Sequence, residues 1–228
     1  MLFRSFGYTD TSNDPRVFDA DDHILKSYEG PLPGINPLVM MGTYPHAWAD
    51  WLRQQGQEVP DSVLDLYFQK VAGTEYESGG SVPLALKWPA ELHDTYFMVE
   101  KTIEYLSEQS SSWCVHLSLL RPHPPWVAPE PFNSLYPPET LMDFKRQPDI
   151  ETESSQHPFL AHYLGRRGHS ATTDDRRTAR LKASYFGLMS EVDQNLGRLF
   201  EYLRATGQWD NTLIIFTSDH GEIGRAHV

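Results

Sequence analysis

Cysteine is nearly missing from this chain. Cys114 is the single cysteine among 228 residues, which excludes an internal disulfide and fits a reducing compartment without excluding secretion. No run approaches the ~18 apolar residues of a membrane span, and Met1 leads into LFRSFGYTDTSNDPR, without the apolar core of a signal peptide. We therefore expect a cytoplasmic protein, unless an N-terminal signal has been lost.

Positive charge is also scarce. Nineteen Lys and Arg residues stand against 31 Asp and Glu, so the formal net charge is -12. Such a surface repels phosphate backbones and anionic lipids, and we expect neither nucleic acid nor a membrane as a partner. The hydrophobic share of 39% and the aromatic share of 12% are those of a globular protein. The length suits a single domain.

Apolar residues recur at helical spacing in several parts of the chain. Spacings of three and four predict helices over 47–57, 61–72, 91–109 and 173–204. Thr173 or Asp174 is suited to cap the last of these. Residues 1–45 are rich in Pro, Gly, Asn and Asp, and we expect little regular structure there. Residues 129–171 are proline-rich and polar without a helical or strand period, and we expect this long segment to be either functional or partly mobile.

Two short apolar runs, at residues 113–120 and 212–217, have the length and composition of buried strands. Each follows a predicted helix, and this alternation indicates an α/β fold with a central, mostly parallel sheet flanked by helices. Cys114 lies in the first run, where a small buried hydrophobe is its expected role. The loops after the runs, RPHPPWVAP and SDHGE, are candidate sites because ligands of such folds bind beyond the carboxyl ends of strands.

The loop after the second run contains candidate metal ligands. Asp219 offers an anionic oxygen and His220 an imidazole nitrogen. A capped turn is the commoner meaning of this pattern on its own. Two ligands rarely suffice, so further carboxylates would have to come from elsewhere in the fold.

Several segments together resemble one known family. TLIIFTSDHGE resembles the metal-binding segment of the sulfatase family, within the alkaline phosphatase superfamily, and HLSLLRPHPPWVAPEPF resembles that family's central histidine loop. FGYTDTSNDPR and SYEGPLPG resemble the branch of phosphonate monoester hydrolases and phosphodiesterases. The resemblance spans residues 1–222 and implies a partial, alkaline-phosphatase-like sulfatase domain. The implied activity is metal-dependent hydrolysis of small anionic sulfate, phosphonate or phosphodiester esters.

The resemblance implies roles for five residues. Asp219 and His220 match two metal ligands; because imidazole binds calcium poorly, Mn²⁺ is favoured, with Zn²⁺, Fe²⁺ or Ca²⁺ as alternatives. His123 matches the histidine that hydrogen-bonds the transferred group or the leaving oxygen. Tyr8 and Asp10 occupy a position where many sulfatases contact substrate oxygens, although a turn role is an equal alternative there.

The family's nucleophile has no match in the sequence. The family attacks with a formylglycine made from cysteine, or with a serine, inside a Cys/Ser-x-Pro-x-Arg motif that these residues do not contain. We expect that nucleophile in a longer parent protein, for which a homo-oligomer is the expected partner state, and no activity from the 228 residues alone. The alternative is a non-catalytic, truncated pseudoenzyme that acts as a scaffold or binds an anion or a partner. Residues 223–228, IGRAHV, match one reading frame of a common sequencing adapter, and we expect them to be a non-native tail.

Overall fold

The computed structural model describes residues 2–7, 9–10, 16, 19–20, 29–30, 34–69, 86–143, 147–165 and 174–219. The chain forms two compact units. The first comprises residues 1–69, 88–121 and 192–210. The second comprises residues 70–87, 122–191 and 211–228.

The first unit is built on a parallel sheet. The strands of the described residues are β1 (Leu2–Phe6), β2 (Thr9–Asp10), β3 (Glu29–Gly30), β4 (Asn36–Val39) and β5 (Trp113–Leu117). β1 lies in the middle of a three-stranded sheet of order β4-β1-β5, and both pairings are parallel. β2 and β3 form a separate antiparallel pair. The predicted parallel sheet is confirmed, whereas the expectation of little regular structure in residues 1–45 is wrong for β1 and β4.

The predicted helices are confirmed with shifted ends. The α-helices are α1 (His46–Gln54), α2 (Asp94–Ser107), α3 (Ile150–Ser154), α4 (Pro158–Leu164) and α5 (Asp175–Ala205). The oxygen Oδ1 of Asp174 accepts hydrogen bonds from the backbone N–H groups of Arg176 and Arg177 at 2.9 and 3.3 Å. Asp174 therefore caps α5, which satisfies two of the N–H groups that a helix start leaves unpaired. The helix predicted over 61–72 is a 3₁₀ helix at Val63–Phe68, and residues 70–72 lie outside the described ranges.

Aromatic side chains form much of the core of the first unit. Trp48 is fully buried in α1, and its ring lies 5.7 Å from that of Tyr67 and 6.4 Å from that of Trp88. The indole Nε1–H of Trp48 donates to the carbonyl oxygen of Leu92 at 2.9 Å. Each buried aromatic ring stabilises the fold by roughly 2–3 kcal/mol through removal of apolar surface from water. This core lies between α1 and the segment that leads into α2.

The second unit packs the first half of α5 against the segment that follows β5. The rings of Trp126 and Tyr185 meet edge-on at 6.4 Å, and the hydroxyls of Tyr136 and Ser190 lie 2.7 Å apart. Gly187 permits the close approach, since a Cβ atom there would lie 2.4 Å from the carbonyl oxygen of Phe132. The segment 129–171, whose sequence shows no helical or strand period, contains α3, α4 and two 3₁₀ turns at Phe132–Ser134 and Pro138–Thr140.

The second predicted strand is not formed. Residues 212–217 adopt no strand in the described part of the chain, and the side chains of Leu213, Ile215 and Phe216 are 86%, 79% and 76% exposed. An apolar run becomes a strand only when a neighbouring strand pairs with its backbone, and none of the described strands does so here.

Cys114 also differs from expectation, because it is only half-buried in β5. No helix in the described ranges has the length and apolarity required to cross a bilayer.

Candidate active site

The carboxyl ends of the three parallel strands meet at one edge of the sheet. Gly7, just after β1, donates its N–H to the carbonyl oxygen of Val39 at 2.9 Å, and Ser118 donates its N–H to that of Phe6 at 2.8 Å. Gly7 has a φ of 89°, and a Cβ there would lie 2.2 Å from the carbonyl oxygen of Ser118. Only glycine fits this backbone conformation and this contact. The edge is therefore the place where the loops after β1, β4 and β5 are held together.

A buried ion pair lies at this edge. Arg121 follows β5, and its Nε–H donates to Oδ2 and Oδ1 of Asp94, at the start of α2, at 3.1 and 3.4 Å. The two side chains are only 1% and 3% exposed. This pair could not be predicted from the sequence, because the two residues lie 27 positions apart. Taken locally, an aspartate at a helix start is typical of a helix cap. An arginine after an apolar strand indicates no particular partner.

The surroundings of Asp94 keep its carboxylate ionised. Burial alone would raise the pKa of Asp94, but the charges of Arg121 and His93 and hydrogen bonds from Arg121 and Thr95 together hold that pKa below its usual value. His93 Nε2 lies 3.3 Å from Oδ1 of Asp94, and the Thr95 hydroxyl donates to the same oxygen at 3.4 Å. A carboxylate that stays ionised at neutral pH cannot donate a proton. The ionised carboxylate is therefore matched to the Arg121 guanidinium, from which it accepts two hydrogen bonds.

The ion pair connects to the loop after β4 as well. The guanidinium carbon of Arg121 lies 5.2 Å from the centroid of the Tyr67 ring, within the range of a cation–π contact. The Tyr67 hydroxyl in turn donates to the carbonyl oxygen of Gly42 at 2.8 Å. Oriented contacts thus join the loop after β4, the loop after β5 and the start of α2.

His123, the predicted catalytic histidine, lies in the second unit and is exposed. Its Nδ1 is 2.7 Å from the carbonyl oxygen of Pro124. Because a carbonyl oxygen only accepts hydrogen bonds, Nδ1 must carry the proton. A hydrogen bond of this kind fixes which ring nitrogen carries the proton, as is typical of histidines that act as acids or bases.

The other predicted site residues lie at or beyond the limits of the described ranges. Asp219 is the last described residue and is exposed, whereas His220 and Tyr8 lie outside the described residues. Asp10 is described in its backbone alone, where it pairs with Glu29. Among the described residues no group of three or more His, Cys, Asp and Glu side chains could hold a metal ion. The part of the chain described here therefore does not by itself complete the metal site that the resemblance implies.

Comparison with known proteins assigns the class. The Sulfatase family model matches residues 42–227, and the chain belongs to the sulfatase family. It is 34% identical over 234 residues to the multifunctional alkaline phosphatase superfamily protein PehA of Trinickia caryophylli, covering 97% of this chain and 45% of that protein. It is 27% identical over 143 residues to an arylsulfatase of Clostridium perfringens, covering 60% of this chain and 28% of that enzyme.

Solved structures agree with this assignment. The phosphonate monoester hydrolase of Agrobacterium radiobacter matches with a TM-score of 0.84 and 35% identity, over 96% of this chain and 44% of that one. The phosphonate monoester hydrolase SpPMH of Silicibacter pomeroyi matches with a TM-score of 0.82 and 33% identity, over 99% of this chain and 46% of that one. The predicted alkaline-phosphatase-like sulfatase fold is confirmed as a partial domain. The chain spans less than half the length of these relatives.

Proposed function

We propose that the whole protein hydrolyses phosphonate monoesters or phosphodiesters, with sulfate monoesters as poorer substrates. The observation that carries this proposal is the breadth of the structural likeness, which extends over 96% and 99% of this chain for the two phosphonate monoester hydrolases. The arylsulfatase of Clostridium perfringens covers only 60% of the chain at lower identity. The chemistry common to all these candidates is cleavage of an ester bond to phosphorus or sulfur.

His123 is proposed as the acid that assists the leaving group. As the ester bond from phosphorus breaks, the leaving oxygen gains negative charge and needs a proton or a hydrogen bond. With the Nδ1–H held by Pro124 at 2.7 Å, the proton on Nε2 of the charged imidazole is the one to be transferred. The attacking group, a formylglycine or a serine, is proposed to come from a part of the protein beyond these residues. Tyr8 and Asp10 remain predicted contacts to the substrate oxygens.

Asp219 and His220 are proposed as two ligands of a divalent metal. A carboxylate oxygen and an imidazole nitrogen suit Mn²⁺, Zn²⁺ or Fe²⁺ better than Ca²⁺, and Mn²⁺ is favoured. A bound divalent ion would supply positive charge near the oxygens of the ester. Elemental analysis of the purified whole protein tests this part, because Asp219→Ala should lower the bound metal below one equivalent.

The role of His123 is tested with two substrates that differ in their leaving group. In the whole protein, His123→Asn should lower kcat by about 10²–10⁴-fold for phenyl phenylphosphonate, since phenoxide needs a proton. The loss should be much smaller for p-nitrophenyl phenylphosphonate, since p-nitrophenoxide leaves without help. His162→Asn, at another exposed histidine of the second unit, is the matched control. Equal rates for the two variants on both esters would contradict the role of His123.

A second candidate, the non-catalytic scaffold, is favoured by the absence of a Cys/Ser-x-Pro-x-Arg motif from these 228 residues. We expect the 228-residue chain alone to be inactive on both esters. Turnover by that chain above a metal-free control, and its loss in Asp219→Ala, would show this expectation to be wrong. An inactive whole protein that still binds phenylphosphonate would favour the scaffold.

A further inference from the structure

Arg180 lies on the buried side of α5, within the second unit. Residues three and four positions apart share one face of a helix, and the neighbours of Arg180 at these spacings, Ala183 and Ser184, are 2% and 0% exposed. The Nε atom of Arg180 is itself buried and has no hydrogen-bond partner among the described residues. A buried cation without a counter-charge is costly, so an anion that reaches Arg180 would be bound favourably.

Ser184, one turn further along α5, carries a second polar group without a partner. A serine or threonine inside a helix commonly donates to the carbonyl oxygen four residues earlier, as Thr102 of α2 does to Met98 at 2.8 Å. The Oγ atom of Ser184 is buried and makes no such bond to any described residue. The Ser184 hydroxyl is therefore available to a ligand held on the same face as Arg180.

The start of α5 is locally positive in an acidic protein. Residues 174–182 contain four basic and two acidic residues, whereas the whole chain has a net charge of -12. Arg177 is half-buried and lies three residues before Arg180, on the same face. In the part of the chain that the structure describes, no ion pair joins either guanidinium to a carboxylate. Two arginines and a buried hydroxyl thus combine near the positive end of the helix dipole.

We propose that Arg177, Arg180 and Ser184 form a binding site for a small tetrahedral oxyanion, of the class of phosphate and sulfate. The planar guanidinium presents pairs of N–H donors that match the oxygens of such an ion, and a hydroxyl can donate to a further oxygen. The ion would supply both the negative charge and the acceptors that these donors lack. This inference does not rest on the proposed function, because it concerns binding and not ester hydrolysis.

Equilibrium dialysis of the whole protein against radiolabelled inorganic phosphate tests the site. Arg180→Gln should weaken one phosphate site by about 10–100-fold, and the phosphate that this variant still binds reports all other sites, including the proposed active site. Lys182→Gln is the matched control, since it removes the same charge from the same helix. Lys182 lies about 200° around α5 from Arg180 and already donates to the carbonyl oxygen of Asp143 at 3.1 Å. This control should bind as much phosphate as the wild type.

Ser184→Ala separates a role in ligand binding from a role in packing. The substitution removes a buried hydroxyl that has no partner among the described residues, so we expect an unchanged or higher melting temperature without phosphate. The phosphate affinity should fall by about 3–10-fold, and phosphate should raise the melting temperature less than in the wild type. This variant also serves if Arg180→Gln is recovered only as aggregate.

The pattern across the three variants decides the outcome. Weaker binding by Arg180→Gln and Ser184→Ala, with wild-type binding by Lys182→Gln, supports the site. Equal phosphate binding by the wild type, Arg180→Gln and Ser184→Ala would overturn it. Equal losses in Arg180→Gln and Lys182→Gln would also overturn it, since binding would then follow net charge alone. None of these results bears on the proposed function, which is measured by turnover of phenyl phenylphosphonate.

Discussion

Two apolar runs in this chain have the same sequence character and different structures. β5 is a strand of the parallel sheet, paired with β1 over five residues from Leu2↔Trp113 to Phe6↔Leu117. Residues 212–217 carry four consecutive large apolar side chains, at Leu213, Ile214, Ile215 and Phe216, and all four are exposed. Both runs lead into loops with a candidate site residue. Composition alone therefore does not decide which run becomes a strand.

The difference between the runs is the availability of a partner. The N–H and C=O groups of β5 have a neighbour in β1, which is itself held on its other side by β4. Backbone groups in a sheet need such a neighbour, and side chains are buried only after pairing has placed them on a covered face. The loop after β5 contains Arg121, which forms a buried ion pair with Asp94, whereas Asp219, after the second run, is exposed.

The largest contrast should come from a phenylalanine in each region. Phe6, in the strand that pairs with β5, is 1% exposed, and Phe6→Ala should lower the free energy of unfolding by about 3–5 kcal/mol through the cavity it leaves. Phe216→Ala, at 76% exposure, should change it by less than about 0.5 kcal/mol. Urea denaturation of the two variants measures both values. Similar losses would mean that residues 212–217 are packed in solution.

The next contrast compares Asp94, at the sheet edge, with Asp219, after the second apolar run. Asp94→Ala leaves the Arg121 charge buried without its carboxylate and should cost about 3 kcal/mol, whereas Asp219→Ala at an exposed position should cost less than about 0.5 kcal/mol. Because the pKa of Asp94 is lowered in the folded state, its contribution is fully present above the unfolded pKa of about 3.9. It is lost as the pH falls through the lower folded pKa. The difference in the free energy of unfolding between wild type and Asp94→Ala should therefore narrow below about pH 4. A difference that does not change with pH would argue against an ionised Asp94.

A smaller contrast compares Gly7, at the sheet edge, with Gly56, and separates the cost of a close contact from the cost of backbone strain. Gly7 and Gly56 both have positive φ, at 89° and 76°, but a Cβ at Gly56 would meet nothing within 4 Å. Gly56→Ala should cost about 1 kcal/mol for the left-handed conformation alone. Gly7→Ala should cost at least about 1 kcal/mol more, because the carbonyl of Ser118 must move. Equal losses, measured by thermal unfolding, would show that the loops after β1 and β5 adjust freely.

The parts that could be predicted from the sequence are those with local causes. The apolar spacing of α2 and α5, the cap at Asp174 and the apolar run of β5 each follow from residues within one segment. β1 could not be predicted, because LFRSF contains a charged and a polar residue in turn-rich surroundings. It is a strand because it pairs with β4 and with β5, and β5 follows more than 100 residues later in the sequence. The exposed run at 212–217 is the opposite case, a strand composition without a described partner.

The candidate site divides in the same way. His123 could be identified because its neighbours RPHPP resemble a family segment, and its tautomer then followed from one hydrogen bond to Pro124. Asp94 and Arg121 could not be identified, because neither residue type at its own position indicates an ion pair 27 residues apart in sequence. Long-range electrostatic contacts leave no periodic signal, so only the fold reveals them.

The smallest effect concerns His116, within β5 itself. Burial lowers the pKa of His116 below 6.5, and its Nδ1 is buried with no hydrogen-bond partner among the described residues. The unfolded chain therefore binds a proton on this histidine at a higher pH than the folded chain does. The contribution of His116 to the free energy of unfolding is present above about pH 6.5 and is lost as the pH falls toward the folded pKa. His116→Asn should flatten the decline in stability between pH 7.5 and 5.5, while His162→Asn, at an exposed position outside the sheet, should leave it unchanged. Identical pH profiles for wild type and His116→Asn would mean that β5 is open to water on the face that carries His116. The contrast with residues 212–217 would then rest on backbone pairing alone and not on burial.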